Sequence, residues 1–507
     1  DAQAGDAAAR LYANREAAVH YRRALDVARQ ADGDMAEIES LAMRLGEVLE
    51  LGGRHAEALA EYLKMEELAQ ARGAPAAVIR MLMAQATLYA TLNTLHDPAQ
   101  GEQKLAQALA LAQQIGDAGL QARLHWSLMI NALFSSRIAQ ALEHGEPAVQ
   151  QARRAGDPGQ LALSLNDMGR VYAAAGEYAR AQVMLAEARG LWQAMDNQVM
   201  LADNLGGAAS AHYYTGEYDQ ALAASQQALQ ISQEAGNLWG QSYSYLIQGY
   251  IYLDWGEPDQ AIQVMSRCIE LGEQGGLLAS SIAVRSDLAC TYGAFGDVPR
   301  GLKLAHQALA LAEANQPGWR SLPAAALVSL HLQAGRVDAA QAVAAEVPLE
   351  AVSIPFIHYD LLLGMTRAEL SLAEGQYTAA HEIVEQMLAS LSTELRGGLP
   401  QLLLLKAWVL LKQKQPAAAE ETLLSARETA AAIGARQPLW QILARLADLA
   451  AVDGRLDEAN YLRAEARTII NDIAGRLEAV GLRAAFLASA AVQAVRPSDP
   501  AKSETGT

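Results

Sequence analysis

The sequence predicts an all-α fold, a right-handed superhelix (α-solenoid) of about eleven helix-turn-helix units of 40 residues. A first unpaired helix precedes the units and a C-terminal capping helix follows them. Three observations predict this. A short phrase, Gly176-Glu177-Tyr178 before Ala181 in its clearest form, recurs at Gly53, His96, Ser136, Gly176, Gly216, Gly256, Gly296, Gly335, Gly375, Gln415 and Gly454, in steps of 43, 40, 40, 40, 40, 40, 39, 40, 40 and 39. A second phrase keeps the same register at Gly116-Asp117, Gly156-Asp157, Asp196-Asn197 and Gly236-Asn237. Runs of β-branched residues bounded by turn residues, the mark of strands, are missing. A period of this length denotes units that cannot bury an apolar face alone and must stack to do so.

Each unit is legible from its side chains. In residues 161 to 200, Leu161, Leu165, Met168, Val171 and Tyr172 recur at helical spacing, and Gly169 lets a partner helix approach. Gly176 then ends the helix, because a residue at ease in the left-handed region can satisfy the last carbonyls. A second helix carries Ala181, Leu185, Ala188 and Trp192 on one face. Gly before Asp or Asn at its end reads as a C-cap followed directly by the next N-cap. Helices of about 16 residues, ~24 Å long, are expected throughout. Along the chain this gives an entry segment at 1–13, the superhelix at 14–475, a capping helix at 476–496 and a polar, disordered tail at 497–507. The opening Asp1-Ala2-Gln3-Ala4-Gly5 has no Met and no leader pattern, so a piece of a longer protein is expected.

Composition excludes several classes. The formal charge of −18 opposes general attraction to phosphate backbones. Cys268 and Cys290, without a CxxC pair, suit a reduced, cytoplasmic protein without disulfides. Apolar runs such as Leu402 to Leu405 fall far short of the ~18 residues a membrane helix needs.

The order Met168-Gly169, Tyr172, Gly176, Tyr178, Ala181, Ala188 resembles the tetratricopeptide repeat (TPR), with helices longer than the common form. The entry, Leu11-Tyr12-Ala13-Asn14-Arg15-Glu16-Ala17 running into His20-Tyr21-Arg22-Arg23-Ala24-Leu25, and the closing Leu482-Arg483-Ala484-Ala485-Phe486-Leu487 are similar to the ends of TPR sensors in STAND signalling ATPases. That class includes maltose-regulon activator-like regulators and bacterial multidomain conflict-system proteins. The resemblance implies a sensor domain that follows an NTPase module in the same polypeptide.

Chemistry is not expected of this stretch. The GxxxxGK[ST] phosphate loop is missing, and Gly272-Glu273-Gln274-Gly275-Gly276 lacks the Lys and falls where two helices meet. Histidines never form HxxxH or HExxH, so no metal and no cofactor are expected, and no catalytic residue is assigned.

The resemblance also implies that the first helix of each unit lines the concave side. Inner-face residues then stand 13, 10, 6 and 3 positions before each turn residue. In the middle of the array this row gives Arg123 and Trp126, then Asn166 and Arg170, then Asp203, Ser210 and Tyr213, then Tyr243 and Tyr250, with Tyr214 beside them. Ten of the chain's 28 aromatic residues fall between 192 and 255, and Tyr brings large contact area at low entropic cost. These ten residues are the candidate ligand site, with Arg170 for a carboxylate or phosphate and Asn166 for a peptide backbone. The same rings read equally well as padding of a tightly wound inner wall. In the later units the row gives Leu322, Leu332, Leu362, Met365, Leu372, Leu402, Leu405 and Val409, broken by Glu369 and Lys412. This strip is either a second partner surface or, the favoured reading, a row displaced by one residue whose leucines face the core.

The function expected is ligand sensing and protein interaction in a concave channel, for a peptide, protein or small molecule, as part of a STAND regulator in signal transduction, transcription or defence. The alternative is a free-standing scaffold that assembles protein partners.

Overall fold

The computed structural model describes residues 1–10, 14–31, 33–51, 53–90, 95, 97–350 and 357–495. The expected turn at His96 and the expected disordered tail at 497–507 lie outside them. Among the described residues there are twenty-six α-helices, one short 3-10 turn at Pro317–Trp319 and no strand. Eleven consecutive helix pairs run from Met35–Leu51 with His55–Ala71 to Arg436–Val452 with Leu456–Gly475. The fold is an all-α superhelix of helix-turn-helix repeats. The chain divides into two compact units, Asp1–Val171 and Tyr172–Thr507.

The turn chemistry follows the sequence closely. Gly176, Gly216 and Gly256 adopt φ of 77°, 81° and 74°. Between pairs, Asp117, Asp157, Asn197 and Asn237 each accept a hydrogen bond from the backbone N–H three residues on, at 2.9 to 3.1 Å. The residues after each turn that pack against the preceding helix are small and fully buried, as at Ala181, Ala188, Ala221 and Ala228. Bulk is traded across the turn within a unit. Gly46 leaves the space that Tyr62 fills, Gly249 that of Met265, and Gly145 that of Met129 and, from the next unit, Met168. Cys268 takes the small-residue slot of its helix, and burial pushes its thiol up to about 11.

Three features depart from expectation. The helix expected to stand alone does not, because Ala2–Arg10 is helical and packs on Asn14–Gln30. Gly5 lies against the Tyr21 ring, whose hydroxyl donates to Asp6 at 2.7 Å. Secondly, the helices are not uniform. Ser321–Gln333, Val337–Glu346, Tyr377–Ser390 and Leu399–Lys412 have 13, 10, 14 and 14 residues. The period survives because connections take up the residues that the helices give back, notably 391–398. Thirdly, the tenth turn is displaced. Lys414, not Gln415, holds the left-handed conformation with φ 61°, and the next helix starts at Pro416.

A non-glycine residue in that region suffers a contact between Cβ and its own carbonyl that glycine lacks. Lys414→Gly is therefore expected to stabilise the chain by roughly 0.5–1 kcal/mol, after the entropy glycine loses on folding. Urea denaturation measures this; an unchanged or lower midpoint would refute it.

Candidate functional site

The ten candidate residues fall into both units. In Asp1–Val171, the helix Ala118–Phe134 presents Arg123 and Trp126. Trp126 Nε1 donates to Asp167 Oδ2 at 2.8 Å, and Arg170 Nη1 to Asp167 Oδ1 at 3.0 Å. Asp167 is buried, so the two donors share a carboxylate that the sequence reading did not single out. Arg123 is exposed and pairs with Asp157 at 3.7 Å, while Asn166 is fully buried. Arg170 is thus engaged inside its own unit, and Asn166 is packed away from solvent.

In Tyr172–Thr507 the remaining six stand on two helices, Gln198–Thr215 and Leu238–Trp255. Tyr213, Tyr214 and Tyr250 are buried, and Asp203, Ser210 and Tyr243 are half-buried. The rings form one continuous body. Tyr213 stacks on Tyr218 at 5.4 Å and lies 5.4 Å from Tyr214 and 5.8 Å from Tyr250. Two buried carboxylates anchor their hydroxyls. Asp254 accepts from Tyr218 at 2.6 Å, Tyr213 at 3.2 Å and Gln401 Nε2 at 3.0 Å. Asp287 accepts from Tyr250 at 2.8 Å and faces His358 Nε2 at 3.0 Å. Burial holds the hydroxyls of Tyr213, Tyr214, Tyr218 and Tyr250 well above the ordinary phenol range, so they remain neutral donors. Burial also raises Asp254, and its three hydrogen bonds oppose that rise.

His358, Gln401 and the connection 391–398 come from far along the chain and cover the rings. The His358 ring stacks on Tyr250 at 4.1 Å. The carbonyl of Tyr214 accepts from the N–H of Arg396 at 2.8 Å and of Gly397 at 3.0 Å, and its hydroxyl from the N–H of His358 at 3.3 Å. The same closure continues along the superhelix. Glu394 accepts from the N–H of Ala179, Arg476 pairs with Glu257, and Asp259 accepts from the N–H of Glu478, across 215, 219 and 219 residues. That separation is about five and a half repeats, so successive turns of the superhelix touch within this unit. Tyr213, Tyr214 and Tyr250 are accordingly buried in the inner wall beneath these segments. Replacing Tyr213 therefore removes core contacts and would lower stability.

The displaced tenth turn rewrites the apolar strip. Counting from Lys414, the inner-face residues become Gln401, Leu404, Trp408 and Leu411. Leu402, Leu405 and Val409 fall into the core, as does Leu322, all nearly fully buried. A shift of one residue rotates a helix by about 100°, which is why Leu402, Leu405 and Val409 leave the inner face and Gln401 reaches Asp254. Leu332, Leu362 and Met365, before the undisplaced turns at Gly335 and Gly375, stay half-buried.

Part of the inner wall still meets water. Cys290, Ser329 and Glu369 stand six positions before Gly296, Gly335 and Gly375, on three successive units, and all three are half-buried. Burial pushes the Glu369 carboxyl up to about 7 against an opposing hydrogen bond with Ser329. It pushes the Cys290 thiol up as well, and Glu369 adds to this. A thiol raised in this way is not an activated nucleophile. For Glu369 the folded value lies above the unfolded one, so its stabilising contribution is complete below about pH 4.5 and is lost as pH rises through 7. Glu369→Gln is expected to stabilise the chain by about 3 kcal/mol at pH 8 and by almost nothing at pH 4.5. Urea midpoints across that range test it; parallel curves for the two proteins would reject it.

Among the described residues no group of three or more His, Cys, Asp or Glu side chains could hold a metal ion, and no helix is long and apolar enough to cross a membrane.

The family model described as MalT-like TPR region matches residues 129–449. No curated protein matches the chain. Among solved structures, that of a Rap protein complexed with Competence and Sporulation Factor is 13% identical with a TM-score of 0.45, over 74% of this chain and 95% of that one. BtubC from P. vanneervenii is 18% identical with a TM-score of 0.39, over 43% and 91%. A STAND protein with a tetratricopeptide repeat sensor from Pyrococcus horikoshii is 12% identical with a TM-score of 0.40, over 77% of this chain and 52% of that one, so this chain spans about half of that protein's length.

Proposed function

We propose, from the premise that this chain belongs to the MalT-like TPR region family, that it is the ligand-sensing module of a STAND-type NTPase regulator in the cytoplasm. TPR-type domains are protein-interaction modules, and the regulator role is the finer reading offered here. The observation that carries it is the closure of the second unit upon itself. Its turns touch through an apolar core, with Phe295 against Phe486, Ile433 beside Gly216 and Ile473 beside Gly256, as well as through the polar contacts. The sensor reading requires two states, turns together and turns apart. A ligand acts on such an element only by binding one state more tightly, and a shift from 1:99 to 99:1 needs about 5.5 kcal/mol of preference. Small rotations between repeats add along the array into a displacement of its ends, which suits control of a neighbouring module.

Asp203, Ser210 and Tyr243 are the candidate residues in this unit that a peptide, protein or small molecule reaches first. Tyr213, Tyr214 and Tyr250 become reachable where 357–401 withdraws. In the other unit Arg123 is exposed, Trp126 and Arg170 are half-buried, and Asn166 is closed off from solvent.

The test has two parts. Sequencing the gene upstream of the Asp1 codon should reveal a phosphate-loop NTPase module; a start codon directly before it would replace the sensor with a scaffold. Native mass spectrometry of the chain isolated from its own cells should show a bound mass, and hydrogen exchange at 391–401 and 472–486 should differ between loaded and stripped protein. Identical exchange in the two forms would end the two-state reading.

A further inference from the structure

Near the C-terminal end of the second unit, a cavity of about 70 Å³ opens on the inner face of the last two repeats. Leu404 and Trp408 come from helix Leu399–Lys412, Gln441, Ala444, Arg445 and Asp448 from helix Arg436–Val452, and Arg463 from helix Leu456–Gly475. The short helix Ala490–Val495 closes the remaining side.

The charges in this cavity do not balance. Arg463 Nη2 donates to Asp448 Oδ1 at 3.3 Å. Arg445 approaches the other oxygen of the same carboxylate at 3.6 Å, longer than a hydrogen bond. Two guanidiniums therefore share one carboxylate, and the site holds a net positive charge within a chain of −18. The Arg445 guanidinium lies 5.0 Å over the Trp408 ring, and both line the cavity. Trp408 itself is 42% exposed. An open indole beside a guanidinium with donors to spare can hold a flat or branched apolar group and an anion together.

We infer that this cavity binds a carboxylate carried on a short apolar group, with Arg445 and Arg463 as its anchors and Trp408 as its contact surface. The planar guanidinium matches a carboxylate through two parallel N–H donors. The volume limits the guest to a few heavy atoms, the size of one side chain, so the carboxylate comes either from a free small acid or from the end of a peptide chain. A guest there touches Ala491, Ala494 and Val495 as well as the last two repeats, and so ties the terminal helix to them. The site stands whether or not an NTPase module precedes the chain.

Calorimetric titration of the full chain with isovalerate, with N-acetylglycyl-leucine and with isovaleramide tests this. At least one acid should bind, and isovaleramide should bind at least ten-fold more weakly because it lacks the charge. Tighter binding of the peptide assigns the source to a chain end, and tighter binding of isovalerate to a free acid. Arg463→Gln should weaken the acid at least ten-fold. Arg445→Gln, whose contact with Asp448 is the looser one, should do the same in a chain that keeps its helical circular dichroism, and Lys406→Gln on the same helix as Trp408 should change nothing. The inference is overturned if neither acid binds, which includes occupation of the cavity by the chain's own C-terminus, if acid and amide bind alike, or if both arginine variants bind as tightly as the parent.

Discussion

Gly296→Ala is expected to destabilise the chain by about 3 kcal/mol, and Gly335→Ala, at an equivalent turn, by about 1 kcal/mol. Both glycines are left-handed, with φ of 82° and 69°, so both variants suffer the same local strain. They differ in what lies beyond them. A Cβ on Gly335 meets nothing within 4 Å, whereas one on Gly296 would stand 2.5 Å from the carbonyl oxygen of Ala485. That oxygen belongs to the backbone of helix Val480–Ala488 and cannot swing aside as a side chain does. The excess loss measures the contact between successive turns of the superhelix, and it should appear with faster hydrogen exchange in 480–488. Equal losses for the two variants would mean that the turns do not touch in solution.

Asp254→Ala should cost about 3 kcal/mol, and Asp254→Asn about 1 kcal/mol. Alanine leaves the hydroxyls of Tyr213 and Tyr218 and the amide of Gln401 without their shared acceptor in a site closed to water, and each orphaned donor carries its own desolvation penalty. Asparagine still accepts from the hydroxyls. Its new N–H can meet the Gln401 Oε1, a buried oxygen that has no partner at present, once that amide turns over. Thermal and urea unfolding of both variants give the comparison. A similar loss for both would show that the carboxylate's charge, and not its capacity to accept, holds the cluster together.

The repeat was legible in the sequence because turn chemistry is local. A glycine at ease with positive φ and an Asp that caps the next helix three residues on need only their immediate neighbours, so Gly176, Gly216, Asp117 and Asn237 behave as their residue types require. Even the exceptions kept the rule, since Ser136 and Asp196 take the left-handed conformation where glycine is replaced. Cys268 and the buried alanines were legible for the same reason, as fillers of a slot whose size the period sets. The Lys414 turn was misplaced by one residue because proline at 416 and glutamine at 415 fit either register locally, and the tertiary packing of Leu402, Leu405 and Val409 chose between them.

The candidate site was legible only as composition. Tyrosines crowd residues 213 to 252, yet nothing within that stretch says whether rings beside Asp and Arg face a guest or another part of the wall. The answer lies in His358, Gln401 and Arg396, more than a hundred residues onward, where helices shorten and longer connections appear at 391–398. The loss of the Gly-Asp phrase after Gly276 was the available signal.

From its sequence alone this chain is a stack of eleven helix pairs, since spacing, caps and small-residue slots act over one or two turns of helix. Whether the coil closes, and which side chains it hides, depended on how the angles between successive repeats accumulate. Each angle is a small packing residual shared among many side chains, so their sum brings Arg476 to Glu257 and His358 to Asp287 only in the assembled structure.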